Sequence, residues 1–462
     1  MSPTNLNIPD FSLVMLIGIP GSGKSTFASR HFSPTEIVST QFTRALITDD
    51  ASNPGPDSDV SEVMKLLVEK RLARRRLSVV DATNVRKDHR QYFLDLAHIY
   101  HVPVVAIVFD LNEELCIQRP RAKNSQDRGA NVFRREAELL RQSLRGLTDE
   151  GYSNVYTFSS PEEVDAASVK RVPLSVDRRG DHGPFDVIGD VHGCFDELVT
   201  LLNVLGYRRE ERGGKDAYAH PEGRRVIFVG DLVDRGPGVV TAFELMMDMV
   251  DAGTALCVEG NHDEKFIRKL NGRDVKVKEG LAKTLAQIEA LPSVERNSFI
   301  ERVRAFADCM SSHYWLDDGK LVVAHAGLGE AMHGRDSSAV QEFALYGARS
   351  NDKNAKDEFG RAVRYDWAAN YRGGAFVVYG HMAVLRAEWR NRTICIDTGC
   401  VYGGELTALR YPEREIVSVP AKKRYWDDGR PLQEIGETLL APPDSMPDEL
   451  SGDAKRLFSH RR

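Results

Sequence analysis

Five short motifs between residues 189 and 381 constrain the fold of this chain more than any other feature. Each follows an apolar run typical of a strand, and each contains aspartate, asparagine or histidine beside glycine. The motifs are Gly189-Asp190-Val191-His192-Gly193, Gly230-Asp231-Leu232-Val233-Asp234-Arg235-Gly236, Gly260-Asn261-His262-Asp263, Ala324-His325-Ala326-Gly327 and Gly380-His381. Loops at strand ends converge in α/β folds, and glycines permit the tight turns that aim side chains inward. The second half of the chain is therefore predicted to be an α/β domain with one strand-end site.

The side chains in these motifs indicate a metal centre. Carboxylate, amide and imidazole groups in one pocket are typical of a hydrolytic site with two divalent metals. This mixture suits Mn²⁺, Fe, Ni²⁺ or Zn²⁺ better than Ca²⁺. A lone histidine or aspartate is more often structural, but five ordered motifs argue against that alternative. The predicted metal ligands are Asp190, His192, Asp231, Asn261, His325 and His381.

The motif set resembles the calcineurin-like metallophosphoesterases. The resemblance implies that Asp190 and His192 bind one metal, that Asp231 bridges both, and that the other three ligands bind the second metal. It also implies that His262 protonates the leaving oxygen and that Arg235 clamps the phosphate. The implied cofactors are two divalent metals, with Mn²⁺ favoured and Ni²⁺ or Fe as alternatives.

Two further aspartates are assigned supporting roles. Asp397, in Ile-Asp-Thr-Gly-Cys, is expected outside the ligand set, where it would orient a ligand or a metal-bound water. Asp234 is expected to support His262 in catalysis, and an ordinary loop-capping carboxylate is the alternative.

A phosphate-binding loop lies near the N-terminus. An apolar run ends in Gly18-Ile19-Pro20-Gly21-Ser22-Gly23-Lys24-Ser25-Thr26, which matches GxxxxGK[ST]. In this motif glycine amides and a helix N-terminus surround the phosphates, while the lysine reaches the β/γ-phosphates and the hydroxyl binds Mg²⁺. Two further β-branched runs, each after a helix-length segment, predict a buried parallel sheet. We predict a P-loop NTPase-type domain that binds ATP and Mg²⁺ through Gly18, Gly21, Ser22, Gly23, Lys24, Ser25 and Thr26.

Other candidate nucleotide ligands follow along the chain. Asp81 ends the second apolar run, where a carboxylate can hold Mg²⁺ through water; a helix N-cap is the alternative. Arginines on a mobile lid can neutralise a transferring phosphoryl group, although a solvated helix face is an equal alternative for any one of them. The arginines of this segment are Arg119, Arg121, Arg128, Arg134 and Arg135.

The stretches GIPGSGKSTFA, VSTQFTRALITDD and VVDATNV with the arginine-rich segment resemble the 5′-OH polynucleotide kinase domain of bacterial RNA-repair kinase-phosphatases. The resemblance implies that Arg44 binds the acceptor end and that Arg119 and Arg128 act in the lid. It also places Gln41 where the family has an aspartate general base. An amide orients a hydroxyl but cannot take its proton, and losing a general base commonly costs about 10²–10⁴-fold. We predict that this domain binds ATP and phosphorylates weakly or not at all.

The phosphatase half resembles the same RNA-repair family through RKLNGRDVKVKEGLA, RYDWAANYRGG and IDTGCVYGGELTALRYPERE. The resemblance implies removal of 3′-phosphate, 2′-phosphate or 2′,3′-cyclic phosphate ends of RNA. Because Ser/Thr protein phosphatases and dinucleoside tetraphosphatases share the metal motifs, a phosphatase of either kind regulated by the nucleotide-binding domain is an alternative. A repair-complex assembly subunit is a third.

Composition and spacing complete the predictions. A net charge of −6 excludes indiscriminate nucleic-acid binding, while six scattered cysteines and no targeting or membrane segment favour a reduced, cytoplasmic protein. The predicted parts are a kinase-like domain at 1–165, a polar linker at 166–184, a phosphoesterase domain at 185–420 and a polar, partner-docking or disordered tail at 421–462. No fused ligase motif is found in the sequence, so the expected partners are a separate RNA ligase and a 2′-O-methyltransferase. A homodimer is left open, and no membrane contact is expected.

Overall fold

The computed structural model describes residues 5–50, 57–118, 130–212, 215–350, 352, 355, 363–427 and 432. The side chains of residues 118, 130–133, 212, 215 and 216 are outside this description. The chain divides into two compact units, with the boundary between Leu174 and Ser175. Among the described helices, none combines the length and apolar character needed to cross a bilayer.

The N-terminal unit alternates strands and helices around a parallel sheet in the order β3-β4-β2-β5-β6. Its strands are β1 (Asn5–Pro9), β2 (Leu13–Gly18), β3 (Ile37–Ser39), β4 (Ser78–Asp81), β5 (Val104–Phe109), β6 (Asn154–Phe158) and β7 (Ser168–Val172). Its helices are α1 (Lys24–His31), α2 (Thr40–Thr48), α3 (Asp57–Ala73), α4 (Lys87–Ile99), α5 (Glu113–Gln118), α6 (Ala130–Leu144) and α7 (Pro161–Ala166). The predicted P-loop fold with a parallel sheet is confirmed.

The central strands of this sheet are apolar because helices cover both of their faces. Every residue of β2, β4 and β5 is buried. One core contains Val14, Leu16 and Phe27, and a second contains Ile17 and Leu140. Because β2 and β4 pair in parallel, their carboxyl ends lie side by side at one edge of the sheet. There β2 continues into the phosphate-binding loop, and β4 ends in Asp81.

The C-terminal unit contains, in its described residues, two main sheets and the two-stranded sheet β10-β11. Its strands are β8 (Asp177–Arg178), β9 (Phe185–Ile188), β10 (Arg208–Arg212), β11 (Lys215–Ala219), β12 (Arg225–Phe228), β13 (Ala255–Cys257), β14 (His313–Leu316), β15 (Leu321–Ala324), β16 (Phe376–Tyr379), β17 (Trp389–Arg390), β18 (Thr393–Cys395), β19 (Glu405–Tyr411) and β20 (Glu415–Pro420). Its helices are α8 (Phe195–Leu205), α9 (Val239–Asp251), α10 (Asn261–Leu270), α11 (Glu279–Glu289), α12 (Ser293–Ala307), α13 (Ser338–Tyr346) and α14 (Trp367–Asn370).

The two main sheets pack face to face with helices outside them. Their orders are β13-β12-β9-β19-β20 and β17-β18-β16-β15-β14-β8. A core between them joins Val187 and Ile227 of the first sheet to Val323 and Val378 of the second. The five apolar runs identified in the sequence are strands β9, β12, β13, β15 and β16, so the predicted metallophosphoesterase sandwich is confirmed.

The stretch predicted as a polar linker, residues 166–184, contributes a short edge strand to each unit. Strand β7 pairs with β1 in parallel, and β8 pairs with β14. Polar side chains fit there because an edge strand keeps part of its surface in solvent. Of the predicted tail, the segment 421–427 packs on the C-terminal unit through Tyr425 and Trp426, whose amides donate to Val401 O at 3.0 and 2.9 Å. Apart from residue 432, the remainder of the tail lies outside the described residues.

Candidate active site

The phosphate-binding loop has the backbone geometry that its glycines permit. Gly21 and Gly23 have φ values of 77° and 95°, in the left-handed region that disfavours a side chain. A Cβ at Gly21 would also lie 2.3 Å from Cys116 O. Helix α1 begins at Lys24 directly after this turn, so its N-terminal amides are available to an anion.

Lys24 is buried in the loop that it is predicted to serve. Its Nζ donates to Gly18 O and Ile19 O, each at 2.8 Å, and lies 3.3 Å from Ser22 Oγ. Burial lowers the pKa of Lys24 to about 8, against the opposing charges of Asp81 and Glu136. Neutral acceptors therefore hold the ammonium inside the loop that is predicted to bind the nucleotide phosphates.

The predicted acceptor residues lie on α2, which follows β3. Gln41 is exposed, and Arg44 Nη2 donates to Asp57 Oδ1 at 2.7 Å. Asp49 and Asp50, the nearest carboxylates along the chain, are both exposed at the end of α2. Arg134 and Arg135 are exposed on α6. Arg119, Arg121 and Arg128 lie outside the described residues.

In the C-terminal unit, an unusual backbone brings the motif side chains together. His192, Asp231, Asp234, Arg235 and His381 all have left-handed φ values, between 43° and 73°. This conformation is costly for residues other than glycine and concentrates at functional sites. The glycines beside these residues allow the loops to approach closely: a Cβ at Gly380 would lie 1.9 Å from Asp190 Oδ1, and one at Gly260 would lie 2.1 Å from Asp231 N.

Asp231 lies at the centre of the site. Its Oδ2 is 3.6 Å from His192 Nε2, and its Oδ1 is 3.4 Å from His325 Nε2. His381 completes a second group of potential ligands with Asp231 and His325. Asp231 thus belongs to two groups, as expected of a bridging ligand.

The ring nitrogens of the histidines are arranged to bind cations. His192 Nδ1 donates to Val233 O at 2.7 Å, and His325 Nδ1 donates to Val229 O at 2.9 Å. Each Nε2 consequently carries a lone pair directed toward Asp231. His325 Nε2 also lies 3.0 Å from both Asn261 Oδ1 and His381 Nδ1. Burial lowers the pKa of all three histidines, which keeps them neutral and able to bind metal.

Two buried carboxylates, Asp190 and Asp397, lie on the other side of the same cluster. Burial, followed by the charges of Asp397 and Asp231, raises the pKa of Asp190 well above its usual range. Burial raises the pKa of Asp397 to about 6. Asp190 accepts from His381 N at 3.0 Å and Asp397 accepts from Gly399 N, also at 3.0 Å, so both carboxylates are fixed by backbone amides. A divalent pair fits this concentration of oxygen and nitrogen donors.

Beside the candidate metal ligands lies a hydrogen-bonded group of the residues predicted to be catalytic. His262 Nδ1 is 2.5 Å from Asp234 Oδ2, and Asp234 Oδ1 accepts from Thr284 Oγ1 at 2.8 Å. Arg235 Nη1 and Nη2 lie 2.5 and 3.0 Å from the Nε2 atoms of His192 and His262. The loop-capping alternative for Asp234 does not describe this arrangement, because its carboxylate contacts the His262 ring.

Some residues of the site carried no recognisable sequence signal. Thr284 lies on α11, far along the chain from Asp234, and nothing in its local sequence predicts the contact. Asp263 is fully buried and accepts from Leu232 N and Val233 N at 3.0 and 3.3 Å, which fixes the loop that carries Asp231 and Arg235. Asp263 belongs to the motif that begins at Gly260, but its role depends on its contact with the backbone of the loop that begins at Gly230.

Comparison with known proteins places this geometry in a family. Residues 183–385 match the calcineurin-like phosphoesterases, and residues 13–147 match the AAA domain. The chain is 44% identical over 239 residues to bis(5′-nucleosyl)-tetraphosphatase PrpE of Halalkalibacterium halodurans, covering 52% of this chain and 94% of that protein. It is 43% identical over 241 residues to the protein of the same name from Anoxybacillus flavithermus, covering 52% and 96%.

The chain belongs to the calcineurin-like phosphoesterase family. It is a metallophosphoesterase with an additional P-loop kinase-like domain, and enzymes of its family use divalent metals.

Proposed function

We propose that the C-terminal unit hydrolyses a phosphate attached to a nucleotide, using two divalent metals held by the six predicted ligands. The observation that carries this proposal is the convergence of imidazole lone pairs and carboxylates on Asp231, next to the His262–Asp234 pair. Mn²⁺ is the favoured metal, with Ni²⁺ or Fe as alternatives, because the ligands mix nitrogen and oxygen donors.

The chemistry divides between the metals and the chain. When bound, the metals would polarise the phosphate and activate a water. Arg235 would turn its two donors from His192 and His262 to the phosphate oxygens. His262 Nε2 would then face the leaving oxygen and give it a proton, while Asp234 holds the ring and balances its charge. Asp397 would orient the Asp190 side of the cluster.

A dinucleoside tetraphosphate is the first candidate substrate. Support comes from relatives named bis(5′-nucleosyl)-tetraphosphatase, of which this chain covers nearly the full length. Such a substrate is highly anionic, and the leaving group is a nucleotide. The Ser/Thr phosphatase alternative has no comparable support among these relatives.

An RNA end with a 3′-phosphate, 2′-phosphate or 2′,3′-cyclic phosphate is the second candidate. It is favoured by the N-terminal unit, which pairs a phosphate-binding loop with a helix that carries Gln41 and Arg44. In this proposal the N-terminal unit binds ATP and Mg²⁺ through Lys24, Ser25 and Asp81. A separate RNA ligase and a 2′-O-methyltransferase would be the partners, and the assembly role would follow if the kinase is inactive.

A substrate comparison tests these proposals. The full chain with Mn²⁺ is incubated with diadenosine tetraphosphate, RNA ending in 2′,3′-cyclic phosphate, and a phosphoserine peptide, and kcat/KM is measured for each. Preference for the first supports the tetraphosphatase proposal, and preference for the second supports RNA end healing. Preference for the peptide would contradict both. Asp231→Asn serves as the inactive control.

A further inference from the structure

An aromatic ring with several cations lies beside the metal ligands. Tyr346, the last residue of α13, has its ring centroid 6.5 Å from that of His381, at an angle of 85°. The guanidinium of Arg349 lies 4.0 Å from the Tyr346 centroid, and Lys265 Nζ lies 5.8 Å from it. The catalytic group described above uses none of these three side chains.

A fourth residue extends the positive charge toward the metal ligands. Arg364 forms an antiparallel backbone bridge with Arg349, and its charge acts on both His325 and His381. Lys265 follows His262 by one helical turn on α10, and the charge of Asp231 acts on it. Anions are present as well, since Glu342 pairs with Arg349 at 2.7 Å and Glu264 pairs with Arg268 at 3.1 Å.

We propose that Tyr346, Lys265, Arg349 and Arg364 form a subsite for the nucleotide part of the substrate that extends beyond the reacting phosphate. The half-buried Tyr346 ring would stack on a nucleobase, and the three cations would bind adjacent phosphates. Two bound metals and Arg235 would neutralise one reacting phosphoryl group, so further cations beside an aromatic ring suit a ligand with a base and additional phosphates. This inference rests on the proposed function and specifies which residues select the nucleotide.

The test separates recognition of the base from recognition of the phosphates. For wild type and Tyr346→Leu, kcat/KM is measured in Mn²⁺ on diadenosine tetraphosphate and on inorganic tetraphosphate, which has the phosphates without the bases. A second pair is adenosine 3′-phosphate and glycerol 2-phosphate. Loss of one stacked base has a large effect on binding. In Tyr346→Leu we therefore expect kcat/KM on the nucleotide, divided by kcat/KM on its base-free partner, to fall about tenfold or more, mainly through a higher KM for the nucleotide. Tyr346→Phe, which keeps the ring, should restore the ratio.

Phe376→Leu is the matched control. Phe376 also has two guanidinium groups near its ring, those of Arg392 and Arg414, each at 5.4 Å, but it begins β16, whereas His381 follows the end of that strand. This variant should keep the wild-type ratio. If Tyr346→Leu fails to fold, Lys265→Gln decides, because it should raise the KM for diadenosine tetraphosphate more than the KM for glycerol 2-phosphate.

Two results would overturn the inference. If the protein is active and Tyr346→Leu leaves the ratio of kcat/KM on nucleotide and base-free substrates unchanged, the subsite alone is contradicted. If Tyr346→Leu does not fold, unchanged KM values in Lys265→Gln contradict the subsite in the same way. A wild-type protein that hydrolyses the base-free phosphates and neither nucleotide contradicts the subsite and the proposed function together.

Discussion

His262 Nδ1 lies 2.5 Å from Asp234 Oδ2, and the same aspartate is fixed from its other side by Thr284. Because Nδ1 is engaged with a carboxylate, the opposite ring nitrogen, Nε2, is the one that would face a substrate once Arg235 turns from it to the phosphate. The buried Asp234 carboxylate contacts Nδ1 and so fixes the orientation of the ring. The pair therefore fits a general acid, which matters most where the leaving group is an alcohol, as in a 3′-phosphate, rather than a nucleotide phosphate.

Asp234→Asn should slow hydrolysis most for substrates whose leaving oxygen must be protonated. We expect kcat on adenosine 3′-phosphate to fall about 10²-fold, within the usual contribution of a general acid, and kcat on p-nitrophenyl phosphate to fall much less. The measurement is kcat with both substrates at saturating Mn²⁺. Asp196→Asn, which removes an exposed carboxylate paired with Lys422, is the control. Equal losses on both substrates would argue against the general-acid role.

Removing a central ligand should remove metal and hydrolysis together. Asp231→Asn and His325→Ala each disrupt a ligand group, so we expect the metal content of the purified chain to fall and phosphatase activity to be lost, with ATP binding retained. Metal content is measured by mass spectrometry after gel filtration. His182→Ala is the control, since His182 is exposed and pairs with Asp317 rather than with any of the predicted ligands. Full activity in Asp231→Asn would refute the metal assignment.

The sequence was sufficient to predict the fold and the region of the candidate metal site because both depend on local patterns. The apolar runs before Gly189 and Gly230 are buried strands, and their following motifs converge as expected. Thr284 and Tyr346 were not predicted, because their relevance comes from tertiary contacts with residues distant in the chain. The linker prediction missed β7 for a related reason, since an edge strand takes its pairing from β1 rather than from apolar content.

Arg90 should be essential to the stability of the N-terminal unit. It is fully buried and contacts Glu150 through Nε at 2.8 Å and Nη2 at 2.6 Å, while its Nη1 donates to Asn84 O. Breaking such a buried pair costs about 3–5 kcal/mol, since the remaining charge is uncompensated.

Arg90→Leu is therefore expected to accelerate hydrogen–deuterium exchange of the β5 amides. Arg86→Ala is the control because the Arg86–Asp88 pair is exposed, and solvent screens such a pair so that it has little effect on stability. Similar exchange in both variants would contradict the prediction.

ATP affinity should depend on pH through Lys24. Burial lowers the pKa of its ammonium to about 8 in the free protein, and bound phosphates would raise it. The complex then holds the proton more tightly than the free protein, so affinity should be constant below about pH 7 and fall as pH rises above 8. Calorimetry in buffers of different ionisation enthalpy should show proton uptake on binding at pH 8.5. Absence of uptake would place the lysine away from the phosphates.

The kinase prediction depends on one side chain. Gln41 is exposed on α2, where a carboxylate could be accommodated without burying a charge. If Gln41 is what limits phosphoryl transfer, Gln41→Asp should raise transfer of radiolabel from ATP to a 5′-OH RNA oligonucleotide by about 10²-fold or more, the usual value of a general base. Gln41→Asn is the control, because it changes the side chain without supplying a base. Wild-type turnover that Gln41→Asp fails to raise would show that another group takes the proton.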